Sequence, residues 1–412
     1  MFWGKSRNLI VALEVGSTKV AAAVGEIRSD GTLALLGIGE ASSGQVRKCE
    51  IVDFEVAQGC VRDALAEAEQ KTDVVVAEVY LAISGAHIQS SNTRVTTVIN
   101  SDSDEITQEH VQELHDMATA QPLPSGHAIV HHLLQHYVLD DGTVTDNPMG
   151  LASRQLTAHF HQVFGMATRL QTTIRCVKEL SIDVKNYALS SYATAQAVLT
   201  RNQKQLGAVV INLGGGVSDY IVYQKGAVVH TGVLGVGGDH LTNDIVSGLK
   251  IPYAKAELLK RGEGSVILDP GLDDSDRITL PGAYNFEERQ IHRSSLNTIM
   301  QARQAEIFEI ILEDLQNASF WPDFAGTVYI TGGASQVNGL VELASQIFPC
   351  PVELAHQSPF DGDQTYGRRP DLSTVLGLLQ YARQAELELP SARGFARVGQ
   401  TLRRALASMR LI

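Results

Sequence analysis

The chain has 412 residues, enough for two or more cores, and its 44% hydrophobic and 19% charged content is ordinary for a soluble globular protein. A net charge of −13 argues against a general nucleic-acid binder, and no apolar run reaches the roughly 18 residues that a bilayer span needs. Four cysteines without close spacing, Cys49, Cys60, Cys176 and Cys350, read as reduced thiols rather than a disulfide framework or a zinc site.

Residues 1–8 lead straight into an apolar run, leaving no room for a cleavable signal peptide. Residues 9–25 read as strand, small-polar turn (Gly16, Ser17, Thr18, Lys19) and strand. A third strand to about residue 38 completes a meander, turning at 29–32. The spacing of Val56, Cys60, Val61, Ala64, Leu65 and Ala68 predicts a helix over 53–72, followed by a strand over 74–83. From 84 to 164 the texture turns polar and rich in Ser, Thr and His, with a helix at 107–119 capped by Thr107 or Asp104 and strands near 128–139 and 155–163. The histidines there lack a Cys or carboxylate at ligand spacing, so they read as polar strand residues. A helix at 168–180, an edge strand at 181–184 and a small-residue helix at 187–199 follow.

The most distinctive stretch is 208–223, two β-branched runs flanking Gly214, Gly215 and Gly216. Three glycines leave backbone N–H groups uncovered, so the turn can wrap an anion such as a phosphate. A ligand-free glycine turn has the same pattern, but the turn at 16–19 repeats the device. A third glycine turn, Gly332, Gly333 and Ala334, follows an apolar run at 328–331. Gly237 and Gly238 open a helix whose N-terminus favours phosphate oxygens. Glu257 and Lys260, three residues apart on a helix over 254–262, make either a surface ion pair or a polar contact to a ligand. Residues 263–285 read as a loop with short strands, and 289–316 as a long helical region carrying Arg289, Arg293 and Arg303. Helices at 338–348 and 373–382 complete the body.

Two phosphate-type hairpins and a late Thr-Gly-Gly turn resemble the actin-like ATPase superfamily. The phrases at 83–88, 105–111 and 147–151 resemble one family within it, the bacterial cell-division protein FtsA. That resemblance implies an α/β, two-lobed actin-like fold with an FtsA-type inserted subdomain. One lobe takes 1–83 and 165–200, around an insertion at 84–164. The second takes 201–383, with a subdomain at about 239–316 and a helix returning to the first lobe at about 373–383. It implies ATP with Mg2+ in the cleft, held by Gly16, Ser17, Thr18, Lys19, Gly214, Gly215, Gly216 and Val217. Gly237 and Gly238 lie near the γ-phosphate, Glu257 and Lys260 toward ribose and adenine, and Gly332, Gly333 and Ala334 against the adenosine. Mg2+ is held through water near Glu14, Asn212 and Asp219, the acids and amide closest to phosphoryl transfer. The chain departs from the superfamily at Asn212, where Asp is usual, and at Val217, where Thr is usual. With one carboxylate missing, slow turnover is expected, so the protein is at most a slow ATPase and acts mainly as a nucleotide-gated polymer. The resemblance further implies that the 289–316 region, with Arg289, Arg293 and Arg303, receives the acidic C-terminal tail of FtsZ. It also implies self-association into filaments, and later division proteins recruited through the insertion.

Residues 384–394, with Pro390 and Gly394, read as a linker. Beyond it Phe395, Val398, Leu402, Leu406 and Met409 share one face of a helix over 395–412, flanked by Arg403 and Arg404. Five arginines and no acid occur in 391–412, leaving 28 basic against 46 acidic groups elsewhere. Such a helix suits the surface of an anionic bilayer, and the resemblance implies that this is the cytoplasmic face of the inner membrane at the division site. A terminal helix docked on the protein needs no such excess of uncompensated charge. A PilM-like pilus scaffold and an actin-fold kinase are the alternative readings. The first lacks the amphipathic anchor; the second needs a base over an acceptor pocket, and no such base stands out.

Overall fold

The computed structural model describes residues 8–99, 104–268, 276–280, 282, 287–357, 361–362, 366 and 368–388. The chain begins with β1 (Asn8–Val15), β2 (Lys19–Ile27), β3 (Leu33–Ser42) and a small hairpin of β4 (Val46–Arg47) and β5 (Glu50–Ile51). Next come α1 (Phe54–Thr72) and β6 (Glu78–Ile83). The Asp53 carboxylate accepts from the Val56 N–H at 3.1 Å and fixes the start of α1. Then follow β7 (Gln89–Val98), α2 (Gln108–Thr119), β8 (His127–Leu139), β9 (Val144–Thr145), β10 (Gln155–Met166), α3 (Ala167–Lys178), β11 (Asp183–Leu189), α4 (Ser190–Val198) and α5 (Arg201–Leu206). The second half runs β12 (Ala208–Leu213), β13 (Ser218–Gln224), β14 (Ala227–Leu234), α6 (Gly238–Leu249), α7 (Tyr253–Gly262), β15 (Arg277–Leu280) and β16 (Arg289–His292). It ends with α8 (Arg293–Asn317), β17 (Thr327–Thr331), α9 (Leu340–Ile347), β18 (Val352–Leu354), β19 (Asp361–Gly362) and α10 (Ser373–Glu388).

Two sheets share one plan. In the first, β3-β2-β1 is an antiparallel meander and β6 and β11 continue it in parallel beyond β1. In the second, β14-β13-β12 is the meander and β17 and β18 continue in parallel beyond β12. Parallel strands need crossovers, and the central strands β1, β2, β12 and β13 are buried along most of their length on both faces, as sheets covered on both sides require. The first sheet packs α1 and α3 on one side and α10 on the other; the second packs α6, α8 and α9 on one side and α4 on the other. Helices α4 and α10 cross so tightly that a Cβ on Gly377 would lie 1.9 Å from the Ala193 carbonyl oxygen.

Strands β7, β10, β8 and β9 form a separate sheet covered by α2, with its own core around Leu114, Leu156 and Phe160. This inserted unit leaves the first lobe between β6 and β11, yet it is stitched to the second along β14. Ser90 Oγ donates to the Thr231 carbonyl at 2.9 Å, Asn92 Nδ2 to the Val229 carbonyl at 3.1 Å, and Gln135 Nε2 to the Val228 carbonyl at 2.9 Å. His161, 1% exposed, bridges Asn92 Oδ1 at 2.7 Å and Thr231 Oγ1 at 2.9 Å. Burial lowers its pKa to about 3, so the ring is neutral and uses one nitrogen as donor and one as acceptor.

Several elements differ from the sequence reading. β6 starts at Glu78, because 74–77 turn back onto α1, with the Val76 N–H donating to Glu69 Oε1 at 2.7 Å. β7 carries little apolar pattern because it is an edge strand, exposed at half of its positions. β11 runs on to Leu189, so the small-residue helix begins at Ser190 rather than 187: pairing with β6 overrides local propensity. Thr107, not Asp104, caps α2, its N–H meeting His110 Nδ1 at 3.1 Å, and the short helix α5 was not foreseen. Arg289 lies on a strand paired with β15, and the helix starts at Arg293. Helix α10 continues to Glu388, so 384–388 belong to it rather than to a linker. The amphipathic segment at 395–412 lies outside the described residues.

Candidate functional site: a cleft between two matched hairpins

The β1–β2 and β12–β13 turns are closed by the same hydrogen bond. The Gly16 N–H donates to the Lys19 carbonyl and the Gly214 N–H to the Val217 carbonyl, both at 2.9 Å. Superposing the two turns in register makes Glu14 the counterpart of Asn212 and Lys19 the counterpart of Val217. Between the turns lies a partly enclosed cleft. It is lined by Glu14, Gly16, Ser17, Thr18, Lys19, Asn212, Gly214, Gly215, Gly216, Val217, Asp219, Gly332 and Gly333 among the residues singled out from sequence. Its tips touch: a Cβ on Gly215 would lie 2.6 Å from Thr18 Cγ2, and one on Gly216 would lie 2.4 Å from Ser17 Oγ. The glycines are needed for that approach of the lobes as well as for exposing N–H groups.

The cleft floor is acidic. Burial raises the Glu14 pKa to about 7, Lys19 opposes the shift and Asp219 reinforces it; Glu14 Oε2 is sealed and has no hydrogen-bond partner. Burial also raises Asp219 to about 6, against hydrogen bonds from the Ser84 hydroxyl and from Asn212 Nδ2 at 3.4 Å. Asn212 Nδ2 also reaches Thr374 Oγ1 at 3.3 Å, so the amide proton donors join the floor to α10. Lys19 Nζ lies 2.5 Å from Asp371 Oδ2 and 3.1 Å from Glu40 Oε2. The Arg369 guanidinium spans the same two carboxylates. Burial alone would raise Asp371, but Arg369 and Lys19 hold it down at about 2. Cys49 faces the cleft with its thiol raised to about 12 by burial, which leaves it inert.

The other expected residues sit behind the cleft rather than in its lining. The Gly238 and Asp239 N–H groups donate to the Gly214 and Gly215 carbonyls at 2.9 and 2.8 Å, and the Gly237 N–H meets His240 Nδ1 at 3.1 Å. The N-terminus of α6 therefore braces the glycine turn with donors that were expected to face phosphate. Glu257, half-buried, and Lys260, buried, pair at 2.6 Å, and Lys260 Nζ also reaches the Gly238 carbonyl at 3.1 Å and Thr242 Oγ1 at 2.8 Å. Ala334 packs on Gly238, where a Cβ would be 3.1 Å from its methyl. Arg289, Arg293 and Arg303 form no free basic cluster. Arg289 caps the end of α6 through the Leu249 and Lys250 carbonyls, Arg293 pairs with Glu263 and Asp276, and Arg303 with Asp244 and Glu306. Sequence reasoning missed Glu40, Ser84, Arg369, Asp371 and Thr374. Thr374 opens a helix that was recognised and Ser84 lies in the 83–88 phrase, but Glu40, Arg369 and Asp371 carry no local pattern and gain meaning only from the residues they meet across the fold.

A duplicated sheet plan closing two equivalent hairpins on one cleft defines an actin-like ATPase fold. Solved structures agree: that of a PilM–PilN type IV pilus biogenesis complex has a TM-score of 0.63 at 12% identity, covering 91% of this chain and 98% of that one. That of MreB5 of Spiroplasma citri bound to AMPPNP has a TM-score of 0.53 at 14% identity, covering 93% and 98%. The family model for cell division protein FtsA matches residues 209–377, and that for the SHS2 domain inserted in FtsA matches 85–164. Cell division protein FtsA of Neisseria meningitidis serogroup B is 31% identical over 94% of this chain and 93% of its own length. Its counterpart in Pseudomonas aeruginosa is 30% identical over 93% and 91%. The chain belongs to the FtsA family of cell-division proteins.

Proposed function

We propose that the cleft binds ATP with Mg2+ and that this closes the lobes of a filament-forming scaffold of the division machinery. The observation that carries the reading is the pair of turns with identical closure, one from each lobe, meeting over an acidic floor. Only the closed form lets both turns contact one phosphate chain, so nucleotide shifts the population toward closure. Among the described residues no group of three His, Cys, Asp or Glu is arranged to hold a metal directly. The sealed, unpartnered Glu14 Oε2 and the buried Asp219 fit a cation held through its water shell. Bound there, Mg2+ supplies charge neutralisation at the phosphate oxygens. Lys19 must exchange a carboxylate for a phosphate, and the Gly214, Gly215 and Gly216 turn, braced by α6, presents its backbone. Asn212 brings no charge to the floor, so binding is retained while attack by water is poorly supported.

The segment at 395–412 anchors the protein to the inner face of the cytoplasmic membrane; no helix among the described residues is long and apolar enough to cross one. The subdomain carrying α6, α7 and α8 takes the FtsZ tail, and the inserted sheet recruits later division proteins. With its arginines already paired, docking there depends on exchanging partners at Arg289 or Arg303 rather than on a vacant basic stripe. Calorimetry with ATP and Mg2+, liposome flotation with and without residues 391–412, and titration with an FtsZ tail peptide test the three parts. No ATP binding in the full chain removes the first, and unchanged flotation after truncation removes the second. A peptide that fails to bind removes the third.

A further inference from the structure

The hairpin of β4 and β5 is out of proportion to its size. It has two residues per strand, yet its tip reaches both phosphate-type turns. On the first lobe the Cys49 N–H donates to Ser17 Oγ at 2.9 Å. On the second, the Lys48 backbone nitrogen lies 2.9 Å from the position of a Cβ on Gly216. The Lys48 Cδ and Nζ atoms lie 3.4 and 3.5 Å from that of a Cβ on Gly235, in the loop before α6. The turn is also strained: Lys48 and Cys49 have φ of 53° and 58°, the left-handed pair that a two-residue hairpin ordinarily gives to Asn-Gly. Holding two L side chains there is unfavourable. Strain of that kind persists where surrounding contacts hold it, often at a ligand clamp. Here Val46 is buried at the base, and Glu50 pairs with Arg169 of α3 at 3.2 Å.

The Lys48 ammonium is exposed and, among the described residues, has no ion pair or hydrogen bond; its charge is felt by His240 at the start of α6. Among the described residues, the other cations near the cleft, Lys19 and Arg369, are already tied to carboxylates. We infer that this hairpin is a lid and that Lys48 is its ligand-contacting residue, carrying positive charge from the first lobe to the terminal phosphate of a nucleoside triphosphate held between the turns. The inference rests on the nucleotide reading above and deepens it: Lys48 makes closure sensitive to the third phosphate. A diphosphate ends short of the lid and leaves the ammonium in water.

The test is calorimetric titration of the full chain with ATP and with ADP, both with Mg2+, comparing the parent with Lys48→Ala, Lys48→Arg and Arg47→Ala. One charge-assisted contact corresponds to a loss of about tenfold or more in ATP affinity for Lys48→Ala. ADP affinity stays within about twofold. Lys48→Arg keeps the ATP preference, and Arg47→Ala, which removes the same charge one residue earlier, leaves both ligands unchanged. Thermal melts matching the parent show that the variants fold. Equal weakening of ATP and ADP, or an Arg47→Ala loss equal to that of Lys48→Ala, overturns the inference while nucleotide binding stands. A parent that binds neither nucleotide overturns both.

Discussion

Glu14→Gln is expected to stabilise the nucleotide-free protein above neutral pH while weakening its ligand binding. In the folded chain burial lifts the Glu14 carboxyl from 4.5 to about 7, and Oε2 has no partner to compensate it. A folded-state pKa above the unfolded one means the folded chain holds the proton longer. The stability this provides is complete below pH 4.5 and is lost as pH rises through 7. The difference corresponds to about 3 kcal/mol, missing from the parent at pH 8.5. Gln keeps the side-chain shape without the charge, so urea unfolding of the two proteins should coincide near pH 4.5 and diverge by about 2–3 kcal/mol by pH 8.5. The same substitution should lower Mg2+-dependent ATP affinity, since the carboxylate is what the bound cation's water shell meets. If parent and variant lose stability in parallel between pH 5 and 8.5, the strained carboxyl is not where this reasoning places it.

Asn212→Asp should raise single-turnover hydrolysis at saturating ATP with Mg2+; brisk turnover in the parent and no gain in the variant would remove the argument for Asn212 as the cause of slow chemistry. Gly216→Ala puts a methyl 2.4 Å from Ser17 Oγ, so it should hold the lobes apart. Its ATP affinity should fall at least about tenfold and its radius of gyration should stay at the open value when ATP is added, read by calorimetry and small-angle scattering. Deleting residues 394–412, or replacing both Leu402 and Leu406 with Glu, should abolish co-sedimentation with anionic liposomes without changing the melting temperature; unchanged co-sedimentation refutes the anchor.

Glycine punctuation and β-branched runs made both hairpins readable, since their residues are specified by local backbone needs. The same locality made α1 readable from its apolar spacing and its Asp53 cap. Arg289 was misplaced into a helix because four residues of strand pairing with β15 leave almost no periodic trace. At the site, Lys19 was found from the turn it ends, whereas Asp371, 352 positions further along the chain, could not be paired with it from any spacing. The Glu257–Lys260 pair was correctly placed on one helical face; its burial followed from Thr242 and Gly238 on another helix, which no helical pattern in α7 announces.

The seam between the inserted sheet and β14 has a kinematic consequence. The contacts between the lobes include the α4–α10 crossing, with the Asn212–Thr374 and Thr331–Ser373 bonds beside it, that seam, the Ser84–Asp219 bond, and the hairpin tips. The crossing is backbone against backbone and the seam is four side-chain hydrogen bonds, while the tips meet mainly through small side chains and bare glycines. The tips are therefore the contact that yields first. With the crossing and the seam held, the motion left to open the tips is rotation about the line through those two. The insertion sits on the pivot rather than swinging on an arm, so a partner clamped to it feels torque as the cleft works but little displacement.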